Sequence, residues 1–379
     1  MTFVVRDIPH QFTSIRVLVP GTRTRFRSGG LNVALQTARL LGQLLPTEVV
    51  TYRVREEGYS FLSDLLDQDT KPDDSLWLIS WGFDVPHLVR QLRGRPMAYH
   101  AHSAGYGFDL PPGLPVIAVS RNTLGYWGNR APRNPLFLVP NALEPQWIER
   151  GDRSVFDENL HETCRDVDVL VQERKSSPYV LNRLVPALRR RGLSVEVHDG
   201  WIDDLVDLFN RSTVYLYDSA EYWRARGLSE GFGLPPLEAM ACGCVVFSSL
   251  NNALSDFLTP GETAHQIGCG SIEFDLQRIS AAVKSPQQWR GSFEVVQGLL
   301  DASSEAMCVS RWNLVLAQIQ SGWPSWQEPS LVLTSSSTMV LRCSDLLRRG
   351  RTKLEKIMPK SRLVVNQLID RLSEFKVIS

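Results

Sequence analysis

The chain has 379 residues, enough for two domains of ordinary size. Its 41 Lys and Arg balance 41 Asp and Glu, so no overall charge draws it toward nucleic acid or membrane. No stretch reaches the roughly 20 apolar residues that cross a bilayer, and Met1 to Asp7 holds neither a long apolar run nor a cleavage site.

Six cysteines, Cys164, Cys242, Cys244, Cys269, Cys308 and Cys343, fall at no zinc-binding spacing. They read as buried thiols in a reducing cytoplasm. The charge balance is uneven along the chain. From Leu341 to Ser379 there are ten Lys/Arg and four Asp/Glu, a net of +6.

Ser14 to Pro20 reads as a first parallel strand. A loop with Arg23, Arg25 and Arg27 follows, then Ser28-Gly29-Gly30 and a helix from Leu31 to Leu41. Strand, glycines, helix places a ligand at the carboxyl ends of strands. The glycines also suit a plain tight turn. The spacing is not Gly-x-Gly-x-x-Gly, so a dinucleotide is not indicated. Strands recur at Val49–Arg53, Leu76–Ser80, Pro96–His100 and Val116–Ser120, mostly with helical patterns between them. This alternation predicts a parallel sheet covered on both faces. His100 and His102 stand just past a strand end. A histidine there can shuttle a proton, bind a hydroxyl or serve the packing.

A second alternating set begins at Asp166–Val171. Glu173-Arg174-Lys175-Ser176-Ser177-Pro178 leads into a helix from Tyr179 to Arg190. Two cations at a helix N-terminus oppose its dipole, which argues for a bound anion there; an exposed basic pair is the plainer alternative. Leu193–Gly200 and Thr213–Ser219 are further strands. The segment Glu221–Leu228 is rich in aromatics and arginine, either a pocket wall or lid or an ordinary loop elaboration.

Ser229 to Phe247 is the most informative stretch. It reads as a glycine loop, a short helix, a stop and a strand. Gly231 and Gly233 free the backbone to turn and leave no side chain in a ligand's way. Pro235 or Pro236 suits the first helical position. Leu237, Met240 and Ala241 face a core, and Gly243 suits the left-handed residue that ends a helix. Amides at the helix start suit a phosphate or a sugar hydroxyl. Glu230 and Glu238 bracket that start, and ionised carboxylates only accept hydrogen bonds, matching a ligand rich in hydroxyls.

Glu230 through Val246 closely resembles the signature of retaining glycosyltransferases of family 4. Those enzymes have the GT-B fold, two Rossmann-like domains with parallel sheets facing across a cleft. The family pattern, Glu-Gly-Phe-Gly-Leu-Pro-x-x-Glu-Ala-Met-Ala-x-Gly-x-x-Val, is matched nearly throughout. The resemblance extends over roughly Ile15 to Gln320. It implies an N-terminal acceptor domain over residues 1–145, a nucleotide-sugar donor domain over 146–322, and a linker with a basic helical tail over 323–379. It implies transfer of a sugar from a nucleotide-diphosphate donor to a hydroxyl of a glycan, lipid-linked or small-molecule acceptor, with no cofactor and no metal. Glu230 is then the acid near the reacting carbon, with His100 and His102 beside the acceptor and sugar. Glu238 holds the ribose. The backbone of Gly231, Phe232, Gly233 and Leu234, with Arg174 and Lys175, stabilises the leaving diphosphate, and Gly29 and Gly30 lie beside the phosphates and acceptor.

This chain departs from the family at three places. In the segment Leu136–Ala142, which resembles the one that ends the family's first domain, Ala142 replaces the usual glycine. Arg174 and Lys175 are adjacent, where the family spaces an arginine and a lysine by some five residues. Glu221–Leu228 intervenes where family members run straight into the glycine loop. Other readings are a sugar-nucleotide-binding homologue without turnover and an epimerase or phosphorylase on the same frame. Retention of both glutamates argues against the first, and the family 4 form of the signature against the others. Beyond Gly322, apolar residues from Leu354 to Phe375 recur mostly at helical spacing between basic ones. Such a tail packs on the body or self-associates, or docks on anionic lipid at the inner face of the membrane.

Overall fold

The structure is a computed structural model that describes residues 12–68, 74–80, 82–156, 165–200, 202–268 and 270–326. The basic tail from residue 327 onward lies outside the described residues, as do Cys164, Cys269 and Cys343.

Seven parallel strands form the first sheet: β1 (Ser14–Val19), β2 (Thr47–Thr51), β3 (Ser60–Phe61), β4 (Ser75–Ile79), β5 (Met97–Ala101), β6 (Val116–Ala118) and β7 (Leu136–Leu138). Their order is β3-β2-β1-β4-β5-β6-β7. Five parallel strands form the second: β8 (Val167–Gln172), β9 (Val195–His198), β10 (Ser212–Tyr217), β11 (Val245–Ser248) and β12 (His265–Gln266), in the order β12-β11-β10-β8-β9. Both orders reverse direction once, between β1 and β4 and between β8 and β10. In open parallel sheets the crevice at such a reversal, beyond the carboxyl strand ends, is where ligands bind.

The central strands carry unbroken apolar runs because helices cover both faces of each sheet. Every residue of β4, β5, β10 and β11 is buried. On one face of the second sheet Leu170, Tyr215 and Val246 pack with Leu237 and Met240. On the other face Val169, Val214 and Phe247 pack with Leu184, Leu188 and Ile279. The last described helix, Glu305–Trp326, returns to the first sheet, where Trp312, Leu316 and Ile319 join Ile15, Leu78 and Ile117 in one core.

Candidate active site

The site grows out of the carboxyl ends of β8 and β10. After β8 the chain turns sharply through Lys175, whose φ is +76°. A side chain in the left-handed region costs about 1 kcal/mol, and such strain gathers where function dictates geometry. The turn separates the two cations that the sequence leaves equivalent: Arg174 is exposed, while Lys175 is half-buried and faces the site.

β10 ends on Tyr217, buried, and the chain returns to the site at Glu230, 4% exposed. The Tyr217 hydroxyl donates to Glu230 Oε2 at 2.6 Å, and Trp223 Nε1 donates to the same oxygen at 2.8 Å. Lys175 Nζ stands 3.6 Å from Oε1. Burial by itself pushes the Glu230 carboxyl up, but the Lys175 charge and the hydrogen bonds from Tyr217 and Trp223, with the nearby Ser219 hydroxyl, outweigh it and hold the group below the usual carboxylate range.

The glycine loop then reverses into the helix Leu234–Ala241. The helix begins one residue before the prolines, because Gly233 is its cap, at φ +87°. Gly243 ends it, at φ +70°: its N–H donates to the Met240 carbonyl and the Cys244 N–H to that of Ala239, both at 3.0 Å. Among the described residues, no backbone hydrogen bond is donated by Gly231, Phe232 or Gly233.

Glu238, in the second turn of this helix, is half-buried beside a small cavity of about 30 Å³ with Gln172, His198, Leu205, Phe209 and Tyr215. Burial pushes its carboxyl up to about 8, against the pull of Lys175 and with a further push from Glu144. The two acids are thus driven in opposite directions around one ammonium, the pattern that separates acid and base roles in a site.

From the first sheet, the loop after β5 meets the glycine loop. The Ser103 hydroxyl donates to the Ser229 carbonyl at 2.6 Å, and Ser229 N–H to the Ala104 carbonyl at 3.2 Å. Gly231 is glycine for a reason other than turning: a Cβ there would stand 1.6 Å from the His102 carbonyl oxygen. The open space expected at Gly231 is therefore occupied by main chain from the other lobe. An open groove of about 510 Å³ runs along the same seam, bordered by Gly105, Arg121, Asn122, Tyr126 and Ser229.

His100 and His102 meet at a tilt of 56° with ring centroids 4.1 Å apart, and His100 meets Trp312 edge-on at 5.1 Å. Burial pushes both downward, His102 to about 4, so both are neutral at pH 7. The Nε2 atoms of both are buried without a hydrogen-bond partner among the described residues. His100, 2% exposed, is packed in the core, and half-buried His102 stands at the seam. Gly29 and Gly30 open the helix Gly29–Leu41 in exposed positions; only the Ser28 hydroxyl comes near, 3.9 Å from where a Cβ of Gly30 would be. Neither Glu230 nor Lys175 comes within 4 Å of where a Cβ would stand at either glycine.

Tyr217, Gln172 and His198 were not singled out from the sequence. Each ends a parallel strand, and that position was the available signal.

Two parallel Rossmann-like sheets with sites at their strand-order reversals define the GT-B fold. Residues 193–288, which hold both glutamates, match the family model described as glycosyl transferases group 1. Over 93 residues the chain is 33% identical to the serotype-specific mannosyltransferase WbdA of Escherichia coli, a match covering 24% of this chain and 10% of that relative. Among solved structures, a sucrose-phosphate synthase from Thermosynechococcus elongatus is similar with a TM-score of 0.56, 14% identity and coverage of 82% of this chain and 100% of that one. Anabaena HepE, in complex with UDP and glucose, is similar with a TM-score of 0.57 and 14% identity, over 81% of this chain and 100% of that one. Among the described residues no helix is long and apolar enough to cross a membrane.

Proposed function

We propose that this protein is a retaining glycosyltransferase that moves a hexosyl or deoxyhexosyl group from a nucleotide-diphosphate donor to a hydroxyl acceptor, in polysaccharide or glycoconjugate synthesis. The observation that carries this reading is the arrangement of two carboxylates around Lys175 at the β8/β10 reversal, Glu230 held ionised and Glu238 beside a small cavity. Comparison supports it: the matched relative is a mannosyltransferase, and the HepE structure holds UDP and glucose.

In this reading the donor sits on the second sheet. Glu238 takes the ribose hydroxyls, and Glu230 takes a hydroxyl of the sugar. The bond from the anomeric carbon to the diphosphate oxygen breaks, and its electron pair leaves with the diphosphate. Lys175 and the free amides of Gly231 to Gly233 stabilise the growing charge, electrostatic help of the kind that dominates many enzymes. Arg174 stands further out and adds to the field. An acceptor hydroxyl approaches from the first sheet on the face the diphosphate leaves, and its proton passes to the departing phosphate oxygen. Neutral His102 accepts a hydrogen bond at this seam, and His100 supports it from below. Gly29 and Gly30 flank the acceptor. No step uses a metal. The acceptor is a glycan, a lipid-linked sugar or a small molecule, and residues 1–145 and 146–322 divide acceptor from donor binding.

The test is a panel of nucleoside diphosphate hexoses, scored by rise in melting temperature and by transfer. Glu230→Gln should cripple transfer while leaving nucleoside diphosphate binding largely intact. Normal transfer by that variant would remove Glu230 from the chemistry.

A further inference from the structure

The helix Ala220–Arg224, part of the segment that intervenes before the glycine loop, brings Trp223 back over Glu230. Trp223 is braced from outside. Tyr222 meets it edge-on with centroids 5.1 Å apart. The Arg226 guanidinium lies 3.5 Å from the centroid of Tyr222, and Arg226 Nη1 donates to the Tyr222 carbonyl at 2.9 Å. On the inner side Lys175 Nζ stands 5.3 Å from the centroid of the Trp223 ring, a cation over an aromatic face. Lys175 also reaches the Tyr217 hydroxyl, at 3.5 Å.

The two oxygens of Glu230 are therefore unequal. A carboxylate oxygen has about two lone-pair sites. Both sites on Oε2 are taken, by the Tyr217 hydroxyl and the Trp223 indole N–H. Oε1 faces the Lys175 ammonium, at ion-pair distance and too far for a direct hydrogen bond. A ligand hydroxyl that enters here finds one oxygen able to accept it.

We propose that Trp223 is a positioning residue that locks Glu230 with Oε1 alone offered to the ligand, so that the site grips one sugar hydroxyl and not a vicinal pair. The locking rests on the observed hydrogen bonds; the identity of the ligand rests on the donor reading above. Free rotation of the carboxylate would let it bridge two neighbouring hydroxyls and blur the distinction between epimeric sugars. The indole N–H removes that freedom, which makes Trp223 a determinant of sugar specificity.

Two measurements test this. The first is a double-mutant cycle in thermal stability at pH 7 with Trp223→Phe, Glu230→Gln and the two combined, repeated with Tyr217→Phe in place of Trp223→Phe. Phenylalanine keeps an aromatic ring and removes the donor, and the ring area it also loses is lost in both backgrounds and cancels in the cycle. The expected result is that Trp223→Phe lowers the melting temperature at least twice as far in the wild-type background as beside Glu230→Gln. Equal drops in both backgrounds would overturn the locking, and the Tyr217 cycle decides the same question if Trp223→Phe does not fold. The second compares UDP-glucose, UDP-galactose, GDP-mannose and the free diphosphates UDP and GDP. Trp223→Phe should weaken the preferred nucleotide sugar about tenfold, narrow the ratio between UDP-glucose and UDP-galactose, and leave the free diphosphate unchanged. A loss equal for nucleotide sugar and free diphosphate would overturn the specificity role. Should no nucleotide bind the wild type while the cycle still couples, the donor reading falls and the locking stands.

Discussion

Replacing Glu238 by glutamine separates what this acid costs the fold from what it contributes to binding. Its carboxyl is pushed up to about 8 from an ordinary value of 4.5, chiefly by burial. A folded-state value raised above the unfolded one means that folding is most favoured with the proton on. That stability is fully present below pH 4.5 and is lost as pH rises toward 8. At pH 7 the full shift would amount to about 3 kcal/mol, and at pH 5 to less than about 1 kcal/mol. Because the side chain is half-buried beside a cavity, about half of this is the expected cost. Glutamine has nearly the same shape and cannot ionise. Glu238→Gln should therefore raise the melting temperature at pH 7 by about 3 to 6 °C, with the gain shrinking toward zero at pH 5. Above pH 8, where the wild-type carboxyl is ionised, the same variant should bind nucleoside diphosphates about tenfold more weakly, because a neutral amide is a poorer acceptor for ribose hydroxyls than a carboxylate. Scanning calorimetry across pH 5 to 8 checks the first effect and titration calorimetry the second. A melting temperature that falls, or a gain that does not grow with pH, would refute the electrostatic reasoning.

Two glycines offer opposite outcomes. Gly231→Ala would set a methyl 1.6 Å from the His102 carbonyl oxygen, so the lobes must part; small-angle scattering should show a larger radius of gyration and calorimetry a lower melting temperature. Gly30→Ala meets only open space within a helix, so it should be stabilising by about 0.5–1 kcal/mol in chemical denaturation. Unchanged transfer by that variant would remove Gly30 from the acceptor side.

Most of the two sheets was legible because buried parallel strands write themselves as apolar runs, as at Leu76–Ile79 and Val245–Phe247. The two-residue strands Ser60–Phe61 and His265–Gln266 were not, since their pairing is decided by the neighbouring strand and not by their own pattern. The signature was readable down to the left-handed Gly243. What escaped were features made between distant segments. Nothing local tells that Gly231 is small because His102 presses on it. The order Arg174, Lys175 does not say which faces the acids; that follows from the +76° turn at Lys175. The pair His100 and His102 was visible as two residues near a strand end; the strand in fact runs through His100 to Ala101. Trp312, which buries the first of them, comes from a helix near the far end of the described chain. Trp223 stood out as part of an aromatic segment, but its hydrogen bond to Glu230 needed the fold.

The central claim is that a sugar nucleotide binds where β8 and β10 diverge. A crystal structure of the full chain with a bound nucleoside diphosphate tests it most directly. The account predicts the diphosphate over the amides of Gly231 to Leu234 with Lys175 beside it, and the ribose on Glu238. A nucleotide seated elsewhere, with Lys175 and Glu238 untouched, would contradict it.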